Sequence, residues 1–332
     1  MKALRSHAPG GPETLVLDDL PDPVAGPGQV VVAVKACSIN FPDTLIIRDL
    51  YQFKPPRPFA PGSEISGVIH ALGEGVTGWQ TGDRVIGMVG NGGLATHAVV
   101  EQGRLFALPD GVDFDAGASL LMTYGTNYHG LVDRGRIKPG DVVLVLGAAG
   151  GVGLSAVELA KAFGARVIAA VSSQEKAALA RKAGADDTVI YGRAPFDRAQ
   201  SRELADAFKA ACGPGGADIV YDIVGGDYSE PALRAIAWEG RFLVVGFPAG
   251  IARLPLNLTL LKSCDVCGVF WGAFTVREPA RFKAEIAELF AMLKDRRIAP
   301  HISAHYPLEH GADAMASLES RRSVGKVVVL MP

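Results

Sequence analysis

What the sequence has little of narrows the field first. Its 332 residues include only four cysteines, which is no disulfide framework in a chain of this length and fits a reducing cytoplasm. Only Cys264 and Cys267 lie close together. A lone C-x-x-C with no second pair, in what reads as a buried strand, is expected to be structural rather than a zinc or redox site. An excess of charge of one sign is also missing: 33 Lys and Arg against 35 Asp and Glu give a net charge of −2. With no basic stripe there is no electrostatic footprint for nucleic acid or an anionic membrane. Lys2 and Arg5 are followed by no apolar core of a secretory signal. The longest apolar stretch, Val142 to Val157, is broken by glycines, so no membrane span is expected. These absences leave a cytoplasmic chain of about two domains.

Glycine, by contrast, is abundant at 40 residues, and one cluster organises the chain. Val142 to Leu146 is aliphatic without alternation, as in a strand buried on both faces. Gly147-Ala-Ala-Gly150-Gly151-Val152-Gly153 follows, and then Val157, Leu159, Ala160 and Phe163 recur at roughly helical spacing. Strand, glycine turn and helix in this order make a dinucleotide site. Gly150 lets backbone approach a pyrophosphate, Gly153 lets helix pack on strand, and the helix N-terminus offers its N–H groups to phosphate. Ala148 stands where the first glycine of G-x-G-x-x-G is usual.

The second strand, Arg166 to Val171, ends where a carboxylate would hold the ribose 2′-hydroxyl of NAD. Here it ends in Ser172-Ser173, with Lys176 a turn later. Hydroxyls and an ammonium suit a 2′-phosphate, so NADPH is expected over NADH. The same serines also suit a helix cap before Gln174; the two roles are compatible.

Taken in order, residues 1 to about 123 show short strands (Gln29 to Ala36, Ile65 to Ala71, Arg84 to Val89) and turn signals. These suggest a β-rich, barrel-like module. From about Thr123 strands and helices alternate: strands at Thr188 to Tyr191, Asp218 to Ile223, Arg241 to Val245 and Val266 to Phe270, helices at Glu203 to Ala211 and Glu230 to Ala237. This is the pattern of an α/β doubly wound, six-stranded parallel sheet. Helices at Pro279 to Leu293 and Gly311 to Leu318 and a strand at Lys326 to Leu330 follow. The last strand has no place in that sheet and is expected to rejoin the N-terminal module.

Along nearly its whole length the chain resembles the zinc-independent quinone oxidoreductases (zeta-crystallin-like) of the medium-chain dehydrogenase/reductase superfamily. The resemblance rests on Asn40-Phe-Pro-Asp43, Pro61-Gly-Ser-Glu64-Ile-Ser-Gly67, Gly82-Asp-Arg-Val85, Tyr124-Gly-Thr126, Gly147 to Gly153, and Gly325-Lys-Val-Val328. It implies a discontinuous GroES-like catalytic domain (1–123 and 271–332) around a Rossmann NADPH-binding domain (124–270), and a homodimer. In the related zinc alcohol dehydrogenases a cysteine and a histidine hold the metal. Asn40 and Ser63 stand at those positions here, and neither offers the thiolate or imidazole that tetrahedral zinc needs. The enzyme is expected to be metal-free.

Chemistry without a Lewis acid favours acceptors that delocalise incoming charge, a quinone or an activated α,β-unsaturated carbonyl compound. The resemblance implies that Asn40 and Tyr51 face nicotinamide and substrate, Asn40 donating to the acceptor oxygen and Tyr51 supplying a proton or hydrogen bond. Asn40 equally suits a turn before Pro42, and Tyr51 an aromatic lid. Thr126 is expected near the nicotinamide ribose or phosphates and Tyr191 near the adenine. Gly246 and Phe247, after the fifth strand, and Phe270 and Trp271, after the sixth, fall at the sheet edge where ligands bind. Phe270 and Trp271 suit core or dimer packing as well. Lys326, with Arg322, is expected to reach the cofactor. Two further readings stand beside the first: reduction of an enoyl-CoA or acryloyl-CoA, and a cofactor-binding protein without turnover, including the RNA binding of some relatives. The charge balance argues against RNA.

Overall fold

The computed structural model describes residues 1–320 and 324–332; Arg322 lies outside the described residues. The chain divides into two compact units, Met1–Met122 with Pro300–Pro332, and Thr123–Ala299. No helix among the described residues is long and apolar enough to cross a membrane.

The first unit is built on the strand Gln29–Ile39. On one side it pairs with Glu64–Leu72; on the other its first half pairs with His97–Glu101 and its second half with Lys326–Leu330. Register shifts at Val31/Val32 and Val34/Ala36 mark where the strand bends, as an extra residue in one strand forces. Val30, Val32, Val34, Ile65, Ile69, Val85, Val327 and Val329 fill the core that this curled sheet encloses. Arg84–Met88 and Leu105–Ala107 extend the sheet at one end and Ile302–Pro307 at the other. The register also has a local consequence. It sets Ser38 opposite Glu64 and Ile39 opposite Val327, which brings Lys326 to the end of the strand beside Asn40.

Asn40 leaves the strand and starts the short helix Phe41–Ile46. Its backbone N–H donates to Asp43 Oδ2 at 2.7 Å, an acidic cap at the helix start. Six residues are too few to leave a periodic signal in the sequence.

The second unit carries six parallel strands in the order Asp187–Ile190, Arg166–Val171, Val142–Leu146, Ala217–Asp222, Ile236–Val244 and Asp265–Gly268. Order reverses between Val142–Leu146 and Ala217–Asp222, the switch point at which open α/β sheets bind ligands. Val143 to Leu146 are fully buried, as their unbroken apolar run implied.

Three expectations need correction. The strand with Cys267 is the sheet's outer edge and is mostly exposed, not buried. The helix expected at Glu230 to Ala237 is only Ser229–Arg234, because Ile236 already belongs to the fifth strand. Residues 271–299, expected with the GroES-like module, cluster with the second unit. The helix Pro279–Lys294 buries Phe282, Ile286, Leu289 and Met292, and Trp271 meets Phe282 edge to face.

Candidate active site

In the first unit, the strand ends collect a buried polar cluster. Lys326 is 4% exposed and Glu64 fully buried. Lys326 Nζ donates to Asn40 Oδ1 at 2.7 Å and lies 3.8 Å from Glu64 Oε2. Ser38 Oγ donates to Glu64 Oε2 at 3.1 Å, and the Met122 N–H donates to Glu64 Oε1 at 3.1 Å. An ammonium can only donate, so the Asn40 atom facing it is the carbonyl oxygen. This fixes the amide. Its Nδ2 gives one proton to the Ser38 carbonyl at 3.4 Å and has a second to give.

Burial dominates the electrostatics. It pushes the Asp43 carboxyl up to about 6, against the lowering effect of the Asn40 N–H and Lys326. It raises Glu64 and lowers Lys326, each partly offset by attraction to the other. Tyr51 is half-buried and packs on the same core. Burial, then the Asp43 carboxylate, raise its phenol above the ordinary value, so it is protonated at neutral pH.

Cys37 sits nearby but belongs to the core. It is fully buried, and its Sγ occupies the space that a Cβ at Gly62 or Gly93 would need. The cluster therefore offers a zinc ion neither imidazole nor an accessible thiolate, and places an ammonium beside the amide and carboxylate. These residues do not fit a catalytic zinc.

In the second unit, the glycine turn has the shape a dinucleotide needs. Gly147 takes φ +72°, open to glycine at little cost. A Cβ on Gly153 would lie 2.2 Å from the Gly147 carbonyl oxygen, whereas one on Gly150 would meet nothing closer than 3.8 Å. Gly153 is a packing glycine and Gly150 faces open space. Gly151 and Val152 begin the helix Gly151–Ala162, with Gly150 at its cap. Asn127, which the sequence reading missed, holds this turn: its Nδ2 donates to the Val152 carbonyl at 2.9 Å and to Ser155 Oγ at 2.7 Å, and Tyr221 donates to its Oδ1 at 2.7 Å. It follows directly on Tyr124-Gly-Thr126, the signal that could have found it.

At the end of the second strand the helix-cap reading of the serines is observed. Ser173 Oγ accepts from the Lys176 N–H and caps the helix, and Lys176 Nζ donates to Ser172 Oγ at 3.2 Å. Hydroxyl and ammonium are thus presented together. Tyr191 tilts against Tyr228 with ring centroids 4.8 Å apart. Gly246 donates its N–H to the Asp222 carbonyl at 3.3 Å, and Phe247 and Phe270 are exposed. Thr126 is half-buried at the start of its helical turn. Two expected cofactor residues point elsewhere. Trp271 is buried and fills the space beside Gly125. Lys326 commits its ammonium to Asn40 and Glu64.

Residues 26–110 match the alcohol dehydrogenase GroES-like domain family, and residues 151–291 match the zinc-binding dehydrogenase family. Rat quinone oxidoreductase-like protein 2 is 39% identical over 311 residues, 93% of this chain and 86% of that protein. Human quinone oxidoreductase is 31% identical over 334 residues, 100% of this chain and 98% of that one. The chain belongs to the quinone oxidoreductase family of the medium-chain dehydrogenase/reductases. Among solved structures, mycobacterial Rv1454c in complex with NADPH superposes with a TM-score of 0.91 at 32% identity, covering 99% of both chains. The Escherichia coli quinone oxidoreductase, also complexed with NADPH, gives 0.89 at 28% identity over 99% of this chain and 100% of that one. The family fold and oxidoreductase class therefore hold for this chain.

Proposed function

We propose that this family member is an NADPH-dependent reductase that delivers hydride to a quinone or an activated α,β-unsaturated carbonyl compound without a metal. The observation that carries the reading is the Lys326–Asn40 contact, which orients an amide donor where a zinc enzyme would place its Lewis acid. The backbone of Gly150, Gly151, Val152 and Gly153 would hold the pyrophosphate, and Ser172 with Lys176 the 2′-phosphate. Bound NADPH supplies the hydride. The protein's part is donation to the oxygen that gains charge. Asn40 Nδ2–H would donate there, and Lys326 at Oδ1 polarises the amide and strengthens that donor. The protonated Tyr51 phenol is the group suited to hold or give a proton. One neutral donor stabilises an enolate or hydroquinone oxygen that is already delocalised; an isolated ketone would ask for more.

The test is NADPH oxidation with a benzoquinone, a small enone and crotonyl-CoA, each repeated with NADH and after chelator treatment. Quinone or enone turnover that favours NADPH and survives chelation is expected. A much larger kcat/KM for the CoA ester would move the substrate class to acyl-CoA. NADPH binding without turnover on any acceptor would leave a binding role. Lys176→Glu should narrow the NADPH advantage by about 1–3 kcal/mol, the size of a charge-assisted hydrogen bond; an unchanged ratio would remove Lys176 from the site.

A homodimer is part of the same reading. It is supported by the outer strand Asp265–Gly268, whose Val266 is exposed, and by exposed Leu256, Leu260 and Leu261 on the preceding helix.

A further inference from the structure

The second unit contains a polar cluster that the reductase reading does not use. His129 and Asp133 lie four residues apart in the helical segment His129–Arg134 and face each other. Glu285 comes from the helix Pro279–Lys294. His129 Nδ1 lies 2.6 Å from Asp133 Oδ2, and its ring is stacked on Phe274 at 4.2 Å between centroids. The imidazole is thus held in place. One donor atom from each of the three residues lies within 4.8 Å of the others. Tetrahedral coordination with metal–ligand bonds of about 2.05 Å needs donors roughly 3.4 Å apart, a change within the reach of side-chain torsions.

Glu285 gives the second, independent indication. The residue is 5% exposed, and neither carboxylate oxygen accepts a hydrogen bond. A buried carboxylate left so is costly and calls for a cation. Among the described residues its ion-pair partner is Arg281, with Nε at 3.5 Å. That guanidinium also contacts Asp133 and Glu278, and its side chain is 47% exposed. One guanidinium serves both carboxylates, Asp133 also holding His129, and burial with the neighbouring Asp133 pushes the Glu285 carboxyl up to about 8; a bound cation would take the place of that proton. Arg281 has an exposed alternative partner in Glu278 and is free to leave the buried pair.

We propose that His129, Asp133 and Glu285 form a structural site for a first-row divalent cation, Zn2+ foremost, that ties the helix carrying His129 to the helix Pro279–Lys294. One imidazole and two carboxylates form a donor set that Zn2+ accepts, with water completing the tetrahedron. The site shares no residue with the Asn40–Lys326 cluster, so its fate is independent of the reductase reading.

The test uses the full-length protein, stripped with chelator and titrated with Zn2+ by calorimetry and thermal unfolding, and with Co2+ by visible absorption. One equivalent per chain, a raised Tm, and cobalt ligand-field bands without a thiolate charge-transfer band are expected. Glu285→Gln, which keeps the volume and removes the charge, should abolish uptake and the Tm rise, and His129→Gln should weaken uptake at least tenfold. Arg281→Gln should keep or tighten binding. Absence of uptake, uptake unchanged in Glu285→Gln, or a thiolate band that assigns the metal to cysteines would each overturn the proposal in favour of a simple ion-pair network.

Discussion

Lys326, Glu64 and Asp43 are ionisable, buried and grouped, and each alone would be an expensive charge. Their mutual attraction offsets that cost, so removing one leaves the rest exposed to it. Lys326→Met should cost about 3–5 kcal/mol in urea unfolding. Adding Glu64→Gln should return a large part of that, because the orphaned carboxylate is gone. A Lys326→Met protein as stable as the parent would refute the pairing. Asp43 makes a pH-dependent case. Its folded value of about 6 lies above the unfolded 3.8. Its contribution is therefore fully present below about pH 3.8 and lost as pH rises through 6, by about 3 kcal/mol. Asp43→Asn has no such group, so the parent-minus-variant stability should fall between pH 4 and 7.5. A difference that rises instead would mean that Lys326 and the helix cap outweigh burial. Of this cluster, the sequence made Asn40 and Lys326 legible as motif members. Their contact spans 286 positions and depends on strand register, which no local pattern encodes.

Elements differ in how plainly they could be read, and the reason is burial. The strands Val142–Leu146 and Arg166–Val171 are covered on both faces, so their apolar runs are continuous and their ends were legible. The strands Lys2–Ser6, Leu15–Asp19 and Ile302–Pro307 are short, and the last alternates between half-buried and exposed residues; turn residues and polar positions hide them. The glycine turn was legible because its demands are steric, and those demands separate two of its members. Gly153→Ala would drive a Cβ into the Gly147 carbonyl and Ala148 backbone at 2.2 and 2.7 Å. Neither is a flexible side chain, so the helix must shift, and both stability and NADPH affinity should fall, stability by about 1–3 kcal/mol. Gly150→Ala meets nothing closer than 3.8 Å. It should keep its Tm nearly unchanged and yet lose NADPH affinity tenfold or more, because the methyl group enters the space the pyrophosphate needs. Calorimetric titration beside thermal unfolding separates the two, and equal behaviour of both variants would contradict the assigned roles.

At the scale of the whole molecule, a chain of near-neutral charge has little electrostatic repulsion to keep copies apart, and several of its exposed large apolar side chains lie close together in the chain. Leu256, Leu260, Leu261, Val266, Phe270 and Val276 all fall between residues 256 and 276, around a sheet edge whose strand has a neighbour on one side only. An exposed strand edge with an apolar surround invites pairing with another strand, and edge-to-edge pairing of two copies would continue the sheet while covering those residues. A charge placed on that edge is the device by which natural sheets prevent such pairing. Val266→Lys should therefore convert a dimer to a species sedimenting as one 34.8 kDa chain. It should lower Tm through the newly exposed apolar surface, and it should leave Asn40, Lys326 and the glycine turn untouched, so that NADPH affinity per chain is kept. A parent protein that already sediments as a single chain, or a variant that remains a dimer, would show that pairing does not use this edge.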